Sequence, residues 1–166
     1  MHRFTWKSSS VVLALFAAPL FVYASDQPNF SGTWKLDPAQ SPDVHGAMIT
    51  LTIKTDDAGK ISYERLMKQT DGKQAVVRVT CSPGGKDCSL DENGQKAKVS
   101  LWYDGSALMI LKTGGPKQDA TTERRLELSP DGNTLKVQFT NLDLDSSSKP
   151  ETLVFTKQPD LTAATK

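Results

Sequence analysis

Few side chains in these 166 residues have the types and spacing that chemistry requires. After residue 24 the one histidine is His45, in the Pro- and Gly-containing segment 41-SPDVHG-46. Ser-His-Asp catalysis needs an imidazole held between a nucleophile and an orienting acid. A loop of this composition does not hold one, and no serine stands in a nucleophile-elbow motif, so His45 reads as a solvated loop residue. Asn141, Asp143 and Asp145 alternate like the first oxygen ligands of a calcium loop. That loop also needs Gly at its sixth position and Glu at its twelfth, where Ser146 and Thr152 stand. Solvated hairpin carboxylates are the better reading. No Gly-rich phosphate loop is placed between a strand and a helix, and nothing sets two acids at the separation of a glycosidase pair. The chain reads as a non-enzyme without a cofactor and without a metal site.

The two cysteines, Cys81 and Cys88, flank the turn-forming residues of 80-TCSPGGKDCSL-90. A metal pair and a redox pair are the alternatives to a disulfide. Two thiols with no nearby histidine supply half a zinc site, and six intervening residues are not the C-x-x-C spacing of oxidoreductases. A disulfide closing this short loop contributes roughly 2.5 kcal/mol on a loop-entropy model, an upper figure.

The elements that would carry these residues are short and alternating. Ile49, Leu51 and Ile53 share one parity; so do Ile61, Tyr63 and Met67, then Val77 and Val79, then Val99, Leu101 and Tyr103. Ala107, Met109 and Leu111 follow, then Leu126 with Leu128, then Leu135, Val137 and Phe139, and finally Leu153 and Phe155. Period-two alternation sets one face of each strand on a core and the other in water. Asp57-Ala58-Gly59, Asp71-Gly72, Asn93-Gly94, Asp104-Gly105, Gly114-Gly115-Pro116 and Asp131-Gly132 fall between the runs, and such residues suit the positive φ of tight hairpins. Asp37-Pro38 suits the start of a single helical turn. With Phe30–Leu36 the pattern predicts about eight to nine strands. Successive hairpins with one apolar face must close or stack, and the short connections favour an all-β, antiparallel, up-and-down barrel over a sandwich.

Three positions stand out against that pattern. Arg65 has the parity of Ile61, Tyr63 and Met67, which points it inward, where an unpaired charge is costly. It could anchor a ligand carboxylate beside Tyr63, unless a bulge or an early strand end turns it outward. Trp102, on the solvent parity next to Asp104-Gly105, is either a platform at the rim or covered by a neighbouring loop. Trp34 shares a face with Phe30 and Gly32; it should plug one end of the core, with its N–H requiring a partner.

The beginning of the chain speaks to location. Arg3 and Lys7 precede an apolar run from Val11 to Val22, which ends in Val22-Tyr23-Ala24. This is the pattern of a cleaved export signal over residues 1–24, shorter than the ~20 residues of a membrane span. Residues 25–166 then form a single domain with 18 basic and 19 acidic residues, a net charge of −1. So balanced a chain has no general attraction to nucleic acid or anionic membranes, and no membrane span remains after cleavage.

The opening strand, 30-FSGTWKL-36, resembles the G-x-W signature of the lipocalin superfamily. Together with 103-YDGSAL-108, 128-LSPDGNTL-135 and 153-LVFTKQ-158 it is similar to exported bacterial lipocalin-like proteins over Phe30 to Gln158. The resemblance implies a lipocalin-like barrel with a pocket for a small ligand. It also implies an arginine from a late strand over Trp34, with Arg124 the candidate and Arg125 the alternative. The Asp-Tyr motif of classical lipocalins stands only reversed, as Tyr103-Asp104, and eight residues after Gln158 leave no room for their flanking helix. The expectation is an exported monomer, periplasmic or secreted, binding a small hydrophobic or amphipathic ligand in its lumen. Trp34, Tyr63, Arg65, Trp102 and Arg124 are the lining candidates. The alternative is an envelope interaction module with a filled barrel.

Overall fold

The computed structural model describes residues 27–85, 88–113, 121–142 and 149–159. The leader at residues 1–24, Asp143, Asp145, Ser146 and Gly114-Gly115-Pro116 lie outside the described residues.

Ten strands follow one another: β1 (Gly32–Leu36), β2 (Met48–Thr55), β3 (Ile61–Lys68), β4 (Gln74–Cys81), β5 (Ser89–Glu92), β6 (Gln95–Asp104), β7 (Ala107–Thr113), β8 (Thr122–Leu128), β9 (Thr134–Asn141) and β10 (Glu151–Lys157). Each pairs antiparallel with its sequence neighbour, and β10 returns to β1 to close the barrel. The up-and-down barrel expected from the alternation is present, with ten strands rather than eight or nine. The added strand is β5, four residues in which only Leu90 is buried apolar. Among the described residues no helix is long and apolar enough to cross a membrane.

The turns form where the sequence places them. Asn93 and Gly94 take φ of 53° and 83°, the two consecutive positive values of a two-residue hairpin turn. The Asn93 side chain also accepts from the Val76 N–H at 2.8 Å, joining this hairpin to β4. Asp37 caps one turn by accepting from the Ala39 N–H at 2.9 Å. The loop it begins, between β1 and β2, is tied to β10 where the Val154 N–H donates to Ser41 Oγ at 2.9 Å.

Because the strands alternate in direction, the barrel has two distinct ends. At the end where β1 begins, Trp34 is fully buried and its Nε1–H donates to the Phe30 carbonyl at 3.1 Å. Phe30, Ile53, Leu108, Leu126, Leu135 and Phe155 are likewise buried in the single core, each worth about 1.5–3 kcal/mol of burial. Gly32 has φ of 146°, a region that favours glycine. A Cβ there would stand 2.9 Å from Lys157 Cε. The vacant space admits Lys157, whose ammonium lies 5.3 Å from the Trp34 ring centroid. The cation over the tryptophan is therefore Lys157 from the last strand, not Arg124 or Arg125. Cys81 and Cys88 form a disulfide at the same end, closing the β4–β5 connection.

Candidate ligand site in the open half of the barrel

The opposite end is built differently. Strand β3 runs in unbroken register with β2 and β4, pairing Arg65 with Leu51 and with Val77. No bulge intervenes, so Arg65 keeps the inward parity of Tyr63, and its Nε is buried. Across β4 and β5 the register continues from Val77 to Glu92. Arg65, Val77 and Glu92 thus face the lumen in one row.

Strand β8 contributes Arg124, opposite Ile110 on β7 and Phe139 on β9. Only 6% of it is exposed, and its guanidinium lies 5.4 Å from the Phe139 ring centroid. The resemblance assigned Arg124 to Trp34. The register assigns it to Phe139, because Arg124 lies near the start of β8, which faces the end remote from Trp34. Arg125 points outward, where Asp104 accepts from it at 2.6 Å and Glu127 at 2.8 Å.

Lys112 joins the same lumen. It was missed because Ala107, Met109 and Leu111 had the better alternation on paper. In the barrel Leu108, Ile110 and Lys112 face inward, set by the pairing of Leu108 with Tyr103 and Ile110 with Leu101. Four successive residues of β7, Ala107 to Ile110, are buried, so apolarity could not choose a face. A lysine following Ile110 at the same parity was the available signal. Lys112 Nζ donates to Glu92 Oε2 at 2.6 Å.

The charges interact through the lumen. Burial pushes the Glu92 pKa up, but the Lys112 hydrogen bond and charge, with Arg124 and Arg65 behind them, outweigh it and hold the carboxyl below its ordinary value. Tyr63 is pushed up, principally by burial, against the opposing pull of Arg124 and Arg65. It stays a neutral O–H donor at pH 7. Arg124 is pushed down, chiefly by burial, although arginine remains protonated throughout. Arg65 Nε, Arg124 Nη1 and Thr122 Oγ1 are buried without a hydrogen-bond partner. Among the described residues neither arginine has a carboxylate at salt-bridge distance.

A cavity of about 610 Å³ opens at this end, reaching from Arg65 and Met67 past Ile49, Val44 and Leu153 to Asp43, Asp71 and Glu151. Its size is in the range of small-molecule sites. His45 stands on its rim, exposed and with φ of 55°. A second hollow of about 530 Å³ lies on the other side of the same loop, against Leu36, Pro38 and Met48.

Of the five lining candidates, Tyr63, Arg65 and Arg124 come together in the lumen. Trp34 is sealed into the opposite end. Trp102 lies on the outer face, opposite Met109, and cannot line the lumen; at 37% exposed it is only partly covered. Among the described residues no group of three His, Cys, Asp or Glu side chains is placed to hold a metal ion. Compared with known proteins, the chain matches no family model, and no curated protein matches it.

Proposed function

We propose that this is an exported, non-catalytic binding protein that holds one small amphipathic molecule in the Arg65 half of its barrel. The observation that carries the reading is the cavity of about 610 Å³ at the open end, lined by the inward-facing Arg65 together with apolar Val44, Ile49, Met67 and Leu153. Barrels of this kind hold single small ligands, and a few polar groups at the base of an apolar pocket fix orientation. The leader pattern at residues 1–24 supports export, and the Cys81–Cys88 disulfide is compatible with an oxidising compartment. The Gly-x-Trp strand at the sealed end supports kinship with lipocalin-like proteins.

Native mass spectrometry of the protein purified without detergent from exporting cells tests this. The expected result is a stoichiometric small-molecule adduct that is lost on unfolding. A bare chain, joined by no adduct after incubation with amphiphiles, would sink the reading and favour an interaction module of the cell envelope.

A further inference from the structure

The lining of the open cavity has a polarity that narrows the ligand class, provided the binding reading above holds. Arg65 is half-buried on the inner face of β3. Its Nε is enclosed by protein without a partner, and among the described residues its guanidinium makes no hydrogen bond or ion pair. The Nη groups are therefore left to the cavity that the side chain lines. Deeper in the lumen the Glu92 carboxylate is engaged by Lys112 at 2.6 Å and reaches Arg65 only at longer range. A guanidinium keeps its charge and offers parallel N–H donors to an oxyanion. The inner end of the cavity thus accepts an anion and repels a cation.

The wall beyond Arg65 is apolar, with Ile49 and Met67 paired across β2 and β3 and Val44 and Leu153 lining the same space. The mouth is acidic. Asp71 stands there with Lys73 at 2.8 Å. Asp43 and Glu151 line the same cavity exposed, and among the described residues neither has a lysine or arginine at salt-bridge distance. The Asp43 carboxylate is held by the His45 N–H, which donates to it at 2.7 Å. Arg65, Met67 and Gln69 line the cavity at alternate positions, and the Gln69 N–H donates to the Lys73 carbonyl at 2.8 Å, carrying the β3–β4 hairpin on to the rim. At the rise of a strand the path from Arg65 to Gln69 is about 13 Å. We infer that the ligand is an elongated zwitterion, with its anionic end seated on Arg65, its apolar middle against Ile49, Met67 and Leu153, and its cationic end at Asp43 and Glu151. A lone anion of that length gains nothing at the mouth, and a lone cation leaves Arg65 unmatched.

Isothermal calorimetry at pH 8 with 8-aminooctanoate, octanoate, octylamine and octanol separates the possibilities, on protein freed of bound molecules by unfolding and refolding with its disulfide intact. The expected result is 8-aminooctanoate about tenfold or more tighter than octylamine, because the Arg65 contact is charge-assisted and partly buried. It should exceed octanoate by only about two- to fivefold, because the rim carboxylates are exposed and screened. Octylamine as tight as 8-aminooctanoate would overturn the anion seat, and octanoate as tight would overturn the cationic end; in either case lumenal binding stands. Binding of octanol alone would overturn both charged contacts and leave the binding reading in place. Silence from all four would overturn the zwitterion, and the adduct test above then decides separately whether anything is bound. Arg65→Met should keep the circular dichroism of the wild type yet abolish the preference over octylamine. Glu151→Gln, on the exposed rim, should lower the preference over octanoate by about twofold, and it keeps the test open should Arg65→Met not fold. An unchanged preference in either variant removes that residue from the site.

Discussion

At the Trp34 end the barrel interior is completed by its own chain. The indole is fully buried, its N–H satisfied by Phe30, its face covered by Lys157, and the neighbouring connection closed by a disulfide. At the Arg65 end the same strands turn charged and hydroxylic side chains inward and leave three buried polar atoms unmatched. One end is optimised for packing, while the other retains uncompensated polar groups of the kind that native folds tolerate at functional sites. In this closed barrel the strand pattern specifies the half that holds the fold, and departures from that pattern mark the half where polar side chains face the lumen.

The largest effect is expected from Trp34→Ala, which removes the plug and should lower the unfolding free energy by about 3–5 kcal/mol in urea titrations. A loss under about 1 kcal/mol would show that the two ends do not differ in this way. Replacing both cysteines by serine should lower stability by about 2.5 kcal/mol or less, read as a shift in urea midpoint. An unchanged midpoint would confine the strength of that end to its side-chain packing.

The smallest effect belongs to the open end. Glu92 has a folded-state pKa below its unfolded value, so its stabilising contribution is present above about pH 4.3 and fades as pH falls through the folded value. Being partly exposed, the pair is also weakened by solvent screening. The wild type should therefore lose urea resistance on acidification more than Glu92→Gln does. Parallel pH profiles for the two would mean that the lumenal charges do not contribute to stability as described.

Much of the fold was legible because each hairpin carries its own information. Alternation in Ile49, Leu51 and Ile53, or in Leu135, Val137 and Phe139, needs no knowledge of a partner, and Asn93-Gly94 states its turn directly. Strand β5 was not legible, since Ser-Leu-Asp-Glu is short and acidic and is held by neighbours on both sides. The face of β7 was misread because apolar residues occupy both of its faces and only cross-strand register decides. In the site, Arg65 and Tyr63 could be found from parity alone. Lys157 over Trp34 could not be assigned in the same way, because that contact depends on the seam between the first and last strands. Lys157 does share the parity of Leu153 and Phe155, which was the one hint available.

That seam also has a consequence in time. Each consecutive pair of strands can zip from its own turn, but the β1–β10 pairing brings together residues as distant as Lys35 and Thr156, 121 positions apart. Closing so long a loop is slow relative to forming a hairpin. Until that seam closes, β1 and β10 are open edges with unpaired backbone groups, and such edges recruit other chains. The molecule is thus most exposed to self-association during the interval before Glu151–Lys157 pairs with the opening strand.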